Sequence, residues 1–236
     1  MKVLDAEKIR KLLDYNFDVF VYDEVTSTND VVKNMDNSVV FALTQTAGRG
    51  RMGRSFYSGS GGLYFSISMR IDGQNVRIGN ITAPFSPSRL TIAAGIAVCK
   101  SLKAMGFDAQ VKWVNDVYVG GKKVCGILAE GYGTRAVLGI GVNLSSEIPS
   151  SLSVKAASLD SDADGNEAAA LIINTLLKEI ASPDMEFLTA NCFTLGKKVA
   201  TKEGEGIAVD IDESGALLVE IDGVTKRFFT GEANLL

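Results

Sequence analysis

The segment from Thr44 to Gly62, TQTAGRGRMGRSFYSGSGG, combines three arginines with six glycines. The surrounding run from Asn37 to Ile71 contains no aspartate or glutamate. Glycine lets backbone N–H groups approach a ligand closely, and guanidinium groups pair with phosphate or carboxylate oxygens. The segment therefore predicts an anion-binding loop, which we call the arginine loop. The alternative is a flexible surface loop, or an RGG-like segment that touches nucleic acid.

Periodic apolar residues place this loop between two strands. The runs Val39–Leu43 and Leu63–Ile67 are typical of buried strands, so we expect the loop to be held by a rigid sheet. Ile71–Pro87 is predicted to be a looser segment. Further helices are expected over Asp5–Leu13, from Ser27 or Thr28 to about Met35, over about Ser88–Met105 and over about Glu167–Ile180. Further strands are expected over Val19–Tyr22, Gln110–Val119, Lys122–Glu130 and Ala136–Asn143, with a turn at Gly120–Gly121.

Composition narrows the functional classes. The chain has 236 residues, of which 46% are hydrophobic and 22% charged, which suits one large core and a small accessory domain. A net charge of −4 argues against nucleic acid as the main partner. No apolar run approaches the roughly 20 residues that span a bilayer, and the charged N-terminus is unlike a signal peptide. We therefore expect a cytoplasmic protein that binds neither DNA nor membrane.

Histidine and cysteine usage excludes several kinds of chemistry. The sequence has no histidine, which removes Ser-His and Cys-His triads and His-ligated zinc. Its three cysteines, Cys99, Cys125 and Cys192, lie far apart in apolar surroundings. They are predicted to be buried thiols rather than a metal or disulfide framework.

Two short stretches carry further candidate site residues. Ser27, Thr28 and Asn29 either cap a helix or present neutral hydrogen-bonding groups to a polar ligand. Lys112 lies between apolar neighbours, with Asn115 and Asp116 close behind it. A cation there is suited to hold a reacting carboxylate against a phosphate. The alternative is a strand lysine that pairs with Asp116 or faces water.

Five motifs in this order resemble the catalytic domain of the biotin–protein ligase family. They are STN at 27–29, GRGRMGR at 48–54, KWVND at 112–116, GKKVCGILAE at 121–130 and GIGVNL at 139–144. The tail from Leu195 to Leu236 reads as short strands broken by Glu213–Gly215 and Asp222–Gly223, which predicts a small barrel. It looks like the SH3-like C-terminal domain of the same ligases.

The resemblance implies an α+β fold with two domains. Residues 1–190 would form the catalytic domain, a mixed β-sheet packed with helices and similar to class II synthetases. Residues 195–236 would form the SH3-like β-barrel. The N-terminus lies too close to the STN motif to hold the DNA-binding domain of bifunctional members, so we expect a ligase that is not a repressor. Family members commonly pair through sheet edges, which implies a homodimer.

The resemblance also implies two half-reactions. Biotin and ATP with Mg²⁺ would give biotinyl-5′-AMP and pyrophosphate, and a lysine of a biotin carboxyl carrier protein would then take the biotin. A lipoate–protein ligase or octanoyltransferase of related fold and a non-catalytic biotin-binding or nucleotide-binding module are the alternatives. The first would have a more apolar acyl pocket, and the second would be favoured if Lys112 or the arginine loop were absent.

Individual roles carry over from the motifs. Lys112, with Arg49 and Arg51, would be catalytic. Biotin would be bound by Ser27, Thr28, Asn29, Gln45, Arg49, Gly50, Arg51, Lys123 and Gly126. ATP would be bound by Arg49, Arg51, Arg54, Lys112, Asn115 and Asn143, and Asp116 is the candidate protein ligand for Mg²⁺. The sequence departs from the family at Phe56, where a tryptophan is usual, and at Val114, where a proline is usual.

Overall fold

A large mixed sheet forms the body of the protein. In a computed structural model, which describes residues 4–229 and 233–236, this sheet has nine strands. The strands are β1 (Asp18–Val25), β2 (Ser38–Gln45), β3 (Leu63–Asp72), β4 (Asn75–Ile78), β5 (Ile81–Pro84), β6 (Ala109–Lys112), β7 (Asp116–Val119), β8 (Lys122–Tyr132) and β9 (Arg135–Val142). Along the path β1-β2-β3-β9-β8-β7-β6, the first pair is parallel and the other pairs are antiparallel.

Helices pack against this sheet and connect its strands. They are α1 (Ala6–Leu12), α2 (Thr28–Val32), α3 (Pro87–Ala104), α4 (Gly165–Ala181) and α5 (Met185–Ala190). Helix α3 begins at Pro87, where Ser86 accepts a hydrogen bond from the Arg89 N–H, and it packs against α4, β6 and β8. The side chains between these layers form one core that runs through the sheet and α3. The predicted mixed sheet packed with helices is confirmed.

The strands that flank the arginine loop are confirmed. Val39–Leu43 lies within β2 and Leu63–Ile67 within β3, and both runs are buried or nearly so. Their central residues are fully shielded from solvent because helices or other strands cover both faces of the sheet there. The arginine loop therefore begins and ends on two rigid neighbouring strands.

Two secondary-structure predictions are wrong. The segment predicted to be loose contains the hairpin β4–β5, in which Val76 and Ile78 alternate into the core. The predicted strand Gln110–Val119 is two strands, since the chain reverses after Lys112 and pairs it with Asp116. The turn between β6 and β7 contains Trp113 and Val114, which are both buried. Of the three residues in this turn, Asn115 alone is a usual turn residue, and the two apolar residues are held by core packing.

The C-terminal residues form a second sheet. It comprises β10 (Lys198–Thr201), β11 (Gly204–Ile211), β12 (Leu217–Ile221), β13 (Val224–Phe228) and β14 (Asn234–Leu235). The strand order is β13-β12-β11-β10-β14, and each pair is antiparallel. The string of short strands is as predicted. The described residues contain no pairing between β13 and β14. Residues 230–232, which end the sequence FFTGE at 228–232, lie outside the described residues.

The three cysteines are free and buried, as the sequence predicts, and burial raises the pKa of Cys99 to about 12.

No helix in the part of the chain that the structure describes is long and apolar enough to cross a membrane.

Candidate active site

One cleft collects almost all of the residues that the sequence singles out. It lies against the central sheet and is walled by the arginine loop and the β6–β7 turn. The predicted residues that line it are Ser27, Thr28, Asn29, Gln45, Arg49, Gly50, Arg51, Arg54, Lys112, Asn115, Asp116, Lys123 and Gly126.

Neutral polar groups form one end of the cleft. Gln45 Oε1 accepts hydrogen bonds from the backbone N–H of Thr28 at 2.8 Å and from its hydroxyl at 3.2 Å. Ser66 connects Thr28 to Asn29, since its hydroxyl lies 2.6 Å from Thr28 Oγ1 and donates to Asn29 Oδ1. Gln45 Nε2 donates to Ser58 Oγ at 2.8 Å. A network of side chains thus fixes the directions of the amides and hydroxyls.

These contacts decide between the two interpretations of the STN motif. Ser27 is the residue that precedes α2, but its side chain makes no capping hydrogen bond. The side chains of Thr28 and Asn29 belong to the network, and all three residues are about 3% exposed and line the cleft. The capping interpretation is therefore wrong for these side chains. They face a cavity as neutral donors and acceptors.

Arg49 is tied to carboxylates at the same end of the cleft. Its Nη1 lies 2.8 Å from Asp30 Oδ2, and its Nη2 lies 2.9 Å from Glu130 Oε2 and 2.9 Å from the Tyr132 hydroxyl. Glu130 Oε2 also accepts from Asn29 Nδ2. Although burial opposes the charged form, the hydrogen bonds to Asp30 and Glu130 raise the pKa of Arg49. Arg49 therefore braces the polar network as a permanent cation.

The rest of the arginine loop folds back on itself over the cleft. Gly50 N–H donates to Arg54 O at 2.7 Å, and Phe56 N–H donates to Gly48 O at 2.8 Å. Arg51 Nη1 lies 3.3 Å from Asn115 Oδ1. Burial lowers the pKa of Arg51, which lies in the electrostatic field of Asp116 and Arg54. Arg51 therefore reaches the β6–β7 turn, where its hydrogen-bond partner is the neutral side chain of Asn115.

Phe56 covers the floor of the cleft. A Cβ added at Gly126 or Gly141 would lie 2.8 Å or 2.6 Å from its ring, so the ring rests directly on the backbone of β8 and β9. Tyr64 meets the same ring edge-on, with centroids 6.3 Å apart. The aromatic group at this position has an apolar role here, which requires no indole N–H.

Lys112 lies at the end of β6 and reaches the cleft. Its Nζ lies 5.4 Å from the centre of the Tyr118 ring, and it has no ion pair with any residue in the described ranges. Asp116 pairs with Lys123 instead, at 2.6 Å. The alternative in which the Lys112 ammonium group forms an ion pair with Asp116 is therefore wrong. Lys112 is a half-buried cation whose charge is available to an anionic ligand.

Asn143 is the predicted residue that the structure places apart. It lines an adjoining cleft that shares Arg54, Lys112, Asp116 and Lys123 with the first. Its Nδ2 donates to Ala157 O at 3.1 Å, while its Oδ1 is buried and has no hydrogen-bond partner. Such a buried acceptor is costly unless a ligand or water satisfies it. The two clefts form a continuous path past Lys112.

The described residues contain no cluster of three or more acidic, cysteine or histidine side chains that could hold a metal ion. The Asp116 carboxylate is already paired with Lys123. These side chains do not supply enough oxygen ligands to hold a hard cation by themselves. They are compatible with Mg²⁺ that is bound mainly by phosphate oxygens of a ligand, which is how this ion commonly binds.

Five residues that hold the site in place are absent from the sequence predictions. Asp30, Glu130 and Tyr132 bind Arg49, and Ser58 and Ser66 extend the amide network. The sequence does contain one sign that Arg49 has partners. Three arginines in a run without acidic residues need carboxylates from elsewhere in the chain, or an anionic ligand. That signal does not identify the partners, since Glu130 lies 81 residues further along the chain.

Comparison with known proteins identifies the families that this chain resembles. The sequence profile of the Biotin/lipoate A/B protein ligase family matches residues 22–146, and that of the Biotin protein ligase C terminal domain matches residues 194–235. A similar relative is the Bifunctional ligase/repressor BirA of Salmonella typhimurium, 29% identical over 263 residues that cover 100% of this chain and 79% of that protein. Another is the Biotin--[acetyl-CoA-carboxylase] ligase of Mycobacterium tuberculosis, 29% identical over 220 residues, with 84% and 79% coverage.

A similar solved structure is the biotin protein ligase from Aquifex aeolicus in complex with biotin and ATP. It has a TM-score of 0.78 and 28% sequence identity, and the match covers 93% of this chain and 98% of that chain. The likeness therefore includes both sheets.

Proposed function

This chain belongs to the Biotin/lipoate A/B protein ligase family, and we propose from that membership and from its cleft that it is an ATP-dependent biotin–protein ligase. It is an enzyme that activates biotin to biotinyl-5′-AMP, releases pyrophosphate and transfers biotin to a protein. Biotin and ATP are its substrates. The solved relative that binds both supports this assignment.

One observation carries the proposal. A single cleft joins a neutral, hydrogen-bonding end at Thr28, Asn29 and Gln45 to a cationic end at Arg51 and Lys112. The ureido ring of biotin is neutral and offers donors and an acceptor, while its carboxylate and the phosphates of ATP are anionic. A cleft with this polarity matches biotin at one end and the reacting anions at the other.

We propose the following roles in the first half-reaction. Ser27, Thr28, Asn29 and Gln45 bind the ureido ring, and Lys123 and Gly126 lie beside the biotin carboxyl group. One carboxylate oxygen attacks the α-phosphorus, and the bond from that phosphorus to the oxygen of the β-phosphate breaks. Lys112 stabilises the negative charge that accumulates between the carboxylate and the α-phosphate. Arg49, Gly50 and Arg51 close over this centre, and Arg54, Asn115 and Asn143 bind the ATP side.

The second half-reaction needs no group from the enzyme that bonds to biotin. The amine of a carrier-protein lysine attacks the carbonyl carbon of biotinyl-5′-AMP, AMP leaves with the bonding electrons, and the amine loses a proton to form an amide. The absence of histidine is compatible with this chemistry. The acceptor is a biotin carboxyl carrier protein.

We propose that the phosphates of ATP would hold Mg²⁺, which would offset part of their negative charge. The motif makes Asp116 the candidate carboxylate ligand for this ion. Its ion pair with Lys123, at 2.6 Å, supports a role in orienting that lysine. Direct ligation by Asp116 would require this pair to open.

The alternatives are less well supported. A lipoate ligase or octanoyltransferase would gain nothing from four neutral hydrogen-bonding side chains in the acyl pocket, because desolvating them without partners is costly. A non-catalytic module would not need Lys112 in a half-buried position without a carboxylate partner in the described ranges.

Several broader features belong to the same proposal. Residues 1–190 are the catalytic domain and residues 195–236 the C-terminal domain, which the two separate sheets support. The protein works in the cytoplasm, which its free buried thiols support. It binds no DNA, consistent with a net charge of −4. It forms a homodimer through edge strand β1, where Phe20 and Tyr22 are exposed.

Calorimetric titration of biotin, lipoate and octanoate into the purified protein tests the proposal. Each ligand is then assayed for pyrophosphate release with MgATP. We expect biotin to bind and to drive release, and the other two to do neither. Biotin binding without release would favour the binding module, and release with lipoate alone would establish the lipoate alternative.

A further inference from the structure

The backbone on both sides of Lys112 forms hydrogen bonds with the segment that precedes the C-terminal sheet. The residue before it, Val111, donates its N–H to Asn191 O at 2.9 Å and accepts from Phe193 N–H at 2.8 Å. The residue after it, Trp113, donates its backbone N–H to Thr194 Oγ1 at 3.0 Å. The segment 191–194, which leads into the C-terminal sheet, therefore binds the chain on both sides of Lys112.

Among these contacts, the one with Thr194 is made by a side chain. The N–H that Thr194 accepts belongs to the peptide group that joins Lys112 to Trp113, so its orientation fixes the backbone of Lys112. This contact is fully enclosed, since Thr194 is 1% and Trp113 is 4% exposed. A buried N–H that has one acceptor cannot turn to water if the acceptor is lost.

Two other contacts support the same arrangement. The Trp113 indole N–H donates to Gly215 O at 3.0 Å in the β11–β12 connection. The Tyr118 ring lies under Lys112 Nζ and packs on Phe193, with centroids 5.0 Å apart. Backbone and ring contacts thus both connect Lys112 to the C-terminal part of the chain.

We propose that Thr194 is a positioning residue for Lys112, so that the segment leading into the C-terminal domain contributes to the geometry of biotin activation. The hydroxyl orients the Lys112–Trp113 peptide group, and Lys112 in turn holds its charge at the reacting centre. This inference rests on the proposed function. The network of Thr28, Asn29, Gln45, Ser58 and Ser66 does not include residues 111–113 or 194, so biotin binding is expected to be independent of it.

The test compares Thr194→Val, which keeps the shape, with Thr194→Ser, which keeps the hydroxyl. We expect Thr194→Val to lower kcat for biotin-dependent pyrophosphate release by about 10- to 100-fold, since small misplacements of a catalytic group have effects of this size. The KM for biotin should stay within about 3-fold, which is the signature of an interaction with the transition state. Thr194→Ser should restore kcat to within about 3-fold of the parent protein, because the acceptor returns.

Thr91→Val is the matched control. Thr91 is also a buried threonine, but its hydroxyl donates within α3 to Pro87 O and does not line the cleft. It should lower the unfolding midpoint without changing kcat. In a Lys112→Ala background, Thr194→Val should reduce the remaining rate by less than about 2-fold, since residues that act as a unit are not additive.

Three results would overturn the role of Thr194: an unchanged kcat in Thr194→Val, equal losses in Thr194→Val and Thr194→Ser, or a full additional loss in the Lys112→Ala background. If Thr194→Val does not fold, Thr194→Ala replaces it in the same comparison. A parent protein that releases no pyrophosphate with biotin would overturn the proposed function as well. Release by the parent with an unaffected Thr194→Val would overturn the positioning role alone.

Discussion

At the scale of single residues, the division between a neutral end and a cationic end makes binding and chemistry separable. Thr28, Asn29 and Gln45 hold one another through hydrogen bonds that do not involve Lys112. Substitutions at the two ends should therefore affect different measurements.

Lys112→Ala should leave biotin affinity nearly unchanged and should lower the rate of biotinyl-5′-AMP formation. Removing one preorganised charge from a transition state typically costs about 10²–10³ in rate, and we expect a loss of that order. Titration calorimetry and pyrophosphate release measure the two quantities. Lys122→Ala, which removes an exposed cation that does not line the cleft, is the control. Equal losses of affinity and rate in Lys112→Ala would contradict this role.

Gly139→Ala should have the opposite effect. A Cβ at residue 139 would lie 2.3 Å from Asn29 Oδ1, so the buried amide must move and lose its hydrogen bonds. Displacing a buried amide costs about 1–3 kcal/mol, which corresponds to about 5- to 150-fold weaker biotin binding. Gly131→Ala is the control, because a Cβ there has no atom within 4 Å. Parental biotin affinity in Gly139→Ala would remove Asn29 from the binding site.

At the scale of elements, the arginine loop is connected to α2 and β8 through charges. Asp30 of α2 binds Arg49, and partial burial, which acts to raise its pKa, is outweighed by hydrogen bonds from Lys33 and Arg49 that lower it. A carboxyl group whose pKa is lowered by folding stabilises the folded state above its unfolded pKa. This contribution disappears as the pH falls through the folded-state pKa.

Asp30→Asn should therefore be less stable than the parent protein at pH 7, and the difference should shrink as the pH falls below 3.8, the usual value for this carboxyl group. The pair is about one third exposed, so a difference of about 0.5–1 kcal/mol is expected. Urea unfolding at several pH values measures it. Asp18→Asn, which changes an exposed carboxylate to an amide, is measured as the control. A difference that grows toward acidic pH would contradict the assigned sign.

The elements also show what the sequence could and could not predict. Unbroken apolar runs identified β2 and β3, because both faces of these strands are buried and their composition is decisive. The reversal at Trp113 and Val114 was missed, since both residues are apolar and buried and the contact of Trp113 with the C-terminal residues is not visible in the local sequence. Similarly, the motifs gave thirteen residues of the cleft, but the partners of Arg49 depend on a sheet that brings β8 close to the loop.

At the scale of the whole molecule, the C-terminal sheet is docked on the catalytic part. Gly215, with a φ of +85°, faces α3 so closely that a Cβ would lie 2.1 Å from Ile92 Cδ1. Ser88 Oγ also donates to Phe229 O at 2.9 Å. The two parts are therefore expected to unfold in one transition, because neither buries its contact surface alone.

Gly215→Ala should weaken this docking. Gly223→Ala is the matched control, since its φ is +77° but a Cβ there meets no atom within 4 Å. Backbone strain of about 1–2 kcal/mol is common to both variants. Gly215→Ala should lose about 1 kcal/mol more, the low end of the range for overpacking, because only the end of the Ile92 side chain must shift within the core. Thermal unfolding measures the difference, and equal midpoints would indicate that Gly215 is not in close contact with α3.

The most direct test of the central claim is the complete reaction. The purified protein is incubated with biotin, MgATP and a biotin carboxyl carrier domain, and labelling of the carrier is followed by mass spectrometry. The expected result is one biotin joined by an amide to one carrier lysine, only when biotin and ATP are both present, and none on a carrier in which that lysine is arginine. Labelling by lipoate in place of biotin, or biotin transfer that does not need ATP, would contradict the account.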